Sequence, residues 1–225
     1  MSTIHLPTSS GIPSRSRSRG RAALLTMPLL VAGVLGTGVT PAHAAPAEAA
    51  RSGPVACGGE KIGRAPVRSE GDILIKAPLS RIWRLQTDVK SWPAWQKPVL
   101  SVDRLDRGPL RRGSSFRWTT PAPATPTTPG TILSITSTVR QVKPESCILW
   151  RGPAVGQGLR IDEGVHLWTF TKVKGGVRVH TVETWRGAQV EADVRTATAL
   201  LGGSLKLWLH ELKVAAEARD GRPCA

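Results

Sequence analysis

The sequence has no tyrosine and only two phenylalanines, so eight tryptophans carry almost all of its aromatic surface. Tryptophan combines a large apolar body with one N–H donor. Three cysteines leave room for at most one intramolecular disulfide. Acidic residues number 16 against 31 Lys and Arg, a formal charge of +15. The cations are scattered, and Arg111-Arg112 is the nearest thing to a cluster. With no binding motif beside them, no nucleic-acid partner is expected. Attraction to an anionic envelope surface or an acidic ligand stays open. No His/Cys/Asp/Glu grouping has metal-ligand spacing. No glycine-rich phosphate loop or dinucleotide fingerprint appears, and no nucleophile motif surrounds a serine. Neither a metal nor a cofactor is expected.

A long uninterrupted apolar run is also missing. Residues 23–39 come closest, but Gly, Thr and Pro interrupt them. Arg15, Arg17, Arg19 and Arg21 precede that run, and the small-x-small triplet Ala42-His43-Ala44 follows it. Together they predict a secretory signal peptide over residues 1–44, cleaved after Ala44, and a secreted or envelope-associated protein. An uncleaved N-terminal anchor is the alternative. Without an Arg-Arg pair the general export route is expected, and without a nearby cysteine no lipoprotein is. Cleavage removes four arginines and no acid, taking the formal charge from +15 to +11.

Residues 45–69 are rich in Ala, Gly, Pro and Arg and read as a flexible leader. Residues 70–218 read as one domain and 219–225 as a tail. Cys57 and Cys224 bracket the domain and form the candidate disulfide. Cys147, inside the apolar stretch CILW, reads as a small buried hydrophobe.

The domain is organised around its end. Residues 165–173 and 177–186 are rich in Val, Thr, Trp and Phe, and Lys174-Gly175-Gly176 between them marks a hairpin. If Val173 pairs with Val177, alternation puts Thr169, Thr181, Glu183 and Trp185 on an inner face. His166, Trp168, Phe170 and His180 then fall on the outer face with Lys172 and Arg178. A helix over residues 189–218 follows from Val190, Val194, Ala197, Leu201, Leu205, Trp208 and Leu212, spaced by three and four. Gly202-Gly203 in mid-helix indicates either a tolerated kink or a close backbone approach to the sheet or a ligand. Upstream, a strand over 72–77 leads to a helix over 79–89, which breaks before Pro93. Strands over 99–105, 114–119, 131–142 and 147–150 follow. The proline-rich stretch 121–130 reads as a stiff loop, either inert or the rim of a cavity. This is an α+β pattern, with an antiparallel sheet of about six to seven strands against one long helix.

Ile75-Lys76-Ala77-Pro78 leading into Ile82-Trp83, then Thr87-Asp88-Val89 and Trp92-Pro93-Ala94-Trp95, resembles the opening of SRPBCC-superfamily proteins. That group includes START-related lipid-transfer domains and polyketide cyclases/dehydrases. The hairpin with Gly175-Gly176, Glu183 and Gly187, followed by the amphipathic helix, resembles their end. The resemblance implies a helix-grip fold, a curved sheet wrapped around the C-terminal helix with a hydrophobic cavity between them. It supplies no catalytic motif.

On that fold the candidate ligand-binding residues are Trp92 and Trp95 at the cavity entrance and Trp118 on a strand. Thr169, Thr181, Glu183 and Trp185 join them from the inner hairpin face, and Leu201, Leu205 and Trp208 from the helix. Glu183 is the one catalytic candidate, because burial would raise its pKa. The expected function is binding of an apolar small molecule or lipid, the ligand being the expected partner. The alternative is a cofactor-free cyclase/aromatase-like enzyme. A second acid/base group in the cavity would separate the two.

Overall fold

The computed structural model describes residues 56–57 and 60–218. The signal-peptide segment with its cleavage point, the first part of the leader, the tail and Cys224 lie outside the described residues.

Ala56–Cys57 (β1) pairs with Glu60–Lys61 (β2) in a small antiparallel ribbon. The main sheet has seven antiparallel strands: β3 (Val67–Ile75), β4 (Ser101–Arg104), β5 (Ser115–Ala122), β6 (Thr131–Lys143), β7 (Cys147–Gly156), β8 (Leu159–Val173) and β9 (Gly176–Arg186). Their order is β3-β9-β8-β7-β6-β5-β4. From β4 to β9 the chain is a meander, and β3 closes the far edge against β9. Between β3 and β4 lie α1 (Leu79–Thr87), a 3-10 turn (Val89–Ser91) and α2 (Trp92–Trp95). After β9 come α3 (Ala188–Glu191) and α4 (Val194–Glu217). This is the expected helix-grip arrangement, a curved antiparallel sheet with a long C-terminal helix.

Three expectations change, and one open reading is decided. The first main strand starts at Val67, which is fully buried, so the last residues of the supposed leader belong to the sheet. Pro121 lies inside β5, opposite Ile132 and beyond the last β4 pairing at Thr119, where only one side of the strand is bonded. The terminal helix is broken at Ala192-Asp193. The Asp193 side chain accepts from Thr196 N–H at 3.0 Å and caps a fresh start. Gly202-Gly203 does not interrupt α4. A Cβ on Gly202 would come 3.1 Å from Ser69 Oγ, so glycine permits a close approach of helix to sheet.

The disulfide is also different. Cys57 bonds to Cys147, not Cys224. Both sit with Leu149, Leu167 and Ile62 in a cluster on the outer face of β7 and β8. The β1-β2 ribbon folds back over the sheet, so Cys57 meets the middle of the sheet instead of the chain end.

The hairpin register moves by one residue. Val173 pairs with Gly176, and Lys174-Gly175 forms a two-residue turn with Gly175 at φ 90. The β9 faces stay as expected. The β8 faces exchange, turning His166, Trp168 and Phe170 inward and Val165, Leu167 and Thr169 outward. Both faces of β8 bury apolar groups, because the cysteine cluster covers the outer one. Hydrophobic alternation therefore carried no register information.

Candidate functional site

A cavity of about 510 Å³ lies between the concave sheet face and α4. Its floor and walls include Trp118, Leu133, Ile135, Trp150, Ala154 and Ile161 from the sheet, and Ala197, Leu205 and Trp208 from α4. Gly203 and Leu207 of α4, with Pro123 and Thr127 of the proline-rich loop, line it and are exposed, so the mouth opens between helix and loop. The loop is thus a rim, as one of its two readings had it. Among the described residues no Lys or Arg lines the cavity, although the chain carries a formal +15. No cation stands ready there to pair with a ligand anion.

One end of the cavity abuts solid aromatic packing. Trp92 is fully buried. Its ring centroid lies 5.4 Å from Phe116, 5.9 Å from Trp118, 5.8 Å from Trp150 and 5.0 Å from Trp208. Three of these contacts are edge-to-face, as ring quadrupoles favour. Three of the indole N–H groups in this packing reach protein acceptors, while those of Trp95 and Trp168 are buried without one. Trp92 donates to Gln86 O, Trp208 to Gln86 Oε1 and Trp118 to Ser137 Oγ, each at 3.2 Å.

On the sheet wall, His166 of β8 stands opposite Glu183 of β9. His166 Nδ1 is 3.1 Å from Glu183 Oε2. His166 Nε2 is 2.8 Å from Thr181 Oγ1, whose hydroxyl also reaches Leu167 O at 3.1 Å. Trp185 donates its indole N–H to Glu183 Oε1 at 2.8 Å. Burial pushes the Glu183 carboxyl up to about 7, partly opposed by the Trp185 hydrogen bond, and pushes His166 down to about 3. The pair therefore avoids burying two opposite charges. The Glu183 side chain keeps 18% exposure against 5% for His166, so the carboxyl is the member that a molecule in the cavity meets.

The network has two complete fillings. With a proton on Glu183, the acid donates to Nδ1, Nε2–H donates to Thr181, and Thr181 donates to Leu167 O. Without it, Thr181 turns its hydrogen to Nε2, and Nδ1–H donates to the Glu183 carboxylate. The states differ by one proton, one hydroxyl rotation and the histidine tautomer, and neither leaves Glu183 or His166 unpaired. The site can thus hold a carboxylic acid or a carboxylate near neutral pH, and the carboxylate state gives up only the Thr181–Leu167 hydrogen bond.

Of the residues expected from sequence, Trp118, Glu183, Trp185, Leu205 and Trp208 line the cavity. Trp92, Trp95 and Leu201 do not, since Trp92 and Leu201 are fully buried behind the wall and Trp95 packs against the aromatic core. Thr181 sits behind His166 and reaches the cavity only through it. Thr169 lies on the opposite sheet face, moved there by the register change. His166 was missed for the same reason. A two-residue Lys174-Gly175 turn would have placed it opposite Glu183.

A family model described as polyketide cyclase / dehydrase and lipid transport matches residues 66–217. Among solved structures, the di-domain ARO/CYC StfQ from the steffimycin biosynthetic pathway is similar over 69% of this chain and 52% of its own, with TM-score 0.54 and 16% identity. The di-domain ARO/CYC BexL from the BE-7585A biosynthetic pathway is similar over 68% and 50%, with TM-score 0.52 and 19% identity. Protein CV1439 from Chromobacterium violaceum is similar over 69% and 100%, with TM-score 0.51 and 16% identity. This chain spans about half the length of the two di-domain proteins. Such likenesses establish the fold. No curated protein matches the sequence. By its architecture and by the family model that covers residues 66–217, the chain belongs to the polyketide cyclase/dehydrase and lipid-transport family of the SRPBCC superfamily.

Proposed function

We propose that this chain is a cofactor-free proton-transfer catalyst acting on an uncharged, largely apolar, polyketide-like carbonyl compound held in the cavity. The observation that carries the reading is the Glu183–His166–Thr181 network on the cavity wall. It gives Glu183 a buried hydrogen-bonding partner inside the cavity wall. As a carboxylate, Glu183 takes the proton of a carbon next to a carbonyl. As an acid, it protonates a β-hydroxyl that leaves as water. A group whose pKa sits near the working pH serves both steps. His166 and Thr181 act as positioning residues that keep Glu183 hydrogen-bonded in either state. The lining without Lys or Arg supports an uncharged substrate.

A second reading, carriage of an apolar molecule without turnover, is favoured by the mostly hydrophobic wall and a volume usual for small-molecule sites. Native mass spectrometry and turnover assays on a panel of poly-β-ketone thioester mimics separate the two. Catalysis predicts that Glu183→Gln keeps ligand binding and lowers turnover by about 10²–10⁴-fold. It also predicts a limb near pH 7 in the wild-type rate profile that the variant lacks. Equal turnover by the variant would overturn catalysis at Glu183. A co-purifying apolar molecule at unit stoichiometry, with no turnover of any substrate, would establish carriage.

A further inference from the structure

The outward side of α4 carries a pattern that the cavity does not use. Leu200, Leu207 and Val214 recur at seven-residue intervals and fall on one stripe. Leu207 is 42% exposed and Val214 56%. Gly203 and His210 lie along the same stripe and are exposed. Arg195 and Lys206 are exposed along one border, with Lys213 in line with them. The only carboxylate on α4 between 195 and 214 is Glu211, which is buried and accepts from Lys97 N–H at 2.8 Å. The solvent face over that span therefore carries no exposed carboxylate, although Lys213 at its end is ion-paired with Glu217 at 2.5 Å. Lys206 has no ion pair among the described residues. Leu200, Gly203 and Leu207 belong to the cavity mouth as well. The stripe and the entrance are one continuous surface.

We propose that this face of α4 docks on an anionic lipid surface, with the mouth turned towards the bilayer, so that an apolar molecule passes between membrane and cavity without crossing water. The proposal rests on the reading that the cavity takes an apolar molecule. It does not depend on what Glu183 does. Shallow burial of an apolar stripe, with flanking cations at the headgroups, is how interfacial helices bind. No described helix is long and apolar enough to cross a membrane. Charge complementarity selects an anionic lipid surface over a neutral one.

The test is co-flotation of the full chain with vesicles of phosphatidylcholine, with or without phosphatidylglycerol. The expected result is binding to the anionic vesicles that weakens as salt is added. Lys206→Glu should weaken it at least about fivefold, the effect of one surface cation. Leu207→Glu should weaken it more. Arg112→Glu makes the same charge change at an exposed position on another part of the chain and should leave binding near the wild-type value. All variants carry the same N-terminal segment, so their differences report on α4. Equal loss in Lys206→Glu and Arg112→Glu would overturn the proposal in favour of undirected charge attraction. So would a chain that ignores vesicles but forms a dimer that Leu207→Glu dissolves, which would assign the stripe to a second copy. Turnover by Glu183→Gln is a separate readout, so failure of docking and failure of catalysis are distinguishable.

Discussion

The two halves of α4 cover different interiors. The C-terminal half sends Trp208, Leu209, Leu212 and Ala216 into a cluster with Trp92, Phe116, Trp150 and Trp168. The N-terminal half sends Ala197, Leu201 and Leu205 into a second cluster with Leu133, Ala154 and Ile161, and the cavity lies there. One helix thus closes a filled space and an open one. Side-chain volume accounts for the difference. Where indoles meet, four rings surround Trp92. Where Ala197 of the helix and Gly152, Ala154 and Gly164 of the sheet line the space, small side chains leave a void. Close packing is the ordinary condition of a protein interior, so a maintained void is the part that asks for a functional explanation.

The contrast can be broken most severely at its filled end. Trp92→Ala should cost about 4 kcal/mol of stability, measured by denaturant titration. A loss below about 1 kcal/mol would show that the aromatic end is not the rigid one. Replacing Cys57 and Cys147 by Ser removes the clasp on the reverse side of the sheet, which closes a separation of 90 residues. The cost should be about 3 kcal/mol. If both ends rest on one sheet, unfolding should remain a single transition.

The dyad at the open end gives a pH signature. Glu183 is raised from 4.5 to about 7, so its stabilising contribution is complete below pH 4.5 and is lost as pH climbs to about 7. His166 is lowered from 6.5 to about 3, so its contribution is present above pH 6.5 and is lost as pH falls to about 3. Between 4.5 and 6.5 the two slopes cancel. The pair holds one proton in both states, on the histidine when unfolded and on Glu183 when folded. Relative to Glu183→Gln, the wild type should lose about 3 kcal/mol between pH 4.5 and 7. A flat difference would mean that Glu183 is not desolvated. The smallest effect is expected from filling the void. Ala197→Leu should change stability by less than about 1 kcal/mol, where a tight core would suffer more, while ligand uptake falls.

Much of the fold was readable because the signals were long. The α4 stripe repeats over six turns, and the strands from 99 onward come with turn residues between them. The site was half readable. Glu183 followed from β9, whose opening Val177-Arg178-Val179-His180 alternates apolar and polar residues. His166 did not, since β8 offers apolar residues to both faces and only the turn length fixes its register. Cys57 was recognised as a disulfide candidate, but its partner depends on where a two-residue strand lands on a surface 90 residues away. Local pattern carries no trace of that. Leu201 was correctly placed on the inner helix stripe, yet facing inward and facing the void are different conditions at a helix that covers both.

The Cys57–Cys147 bond also sets a path for mechanical load. Cys147 begins β7, which is the middle strand of the seven. Tension arriving through residue 57 enters the sheet at its centre, and the segment from β3 to β6 is bypassed. The edge strand β3, which α4 rests on, is spared from being peeled off one hydrogen bond at a time. In a reducing medium the same pull would start at Val67 and unzip β3 from β9, taking the support of α4 and the roof of the cavity first.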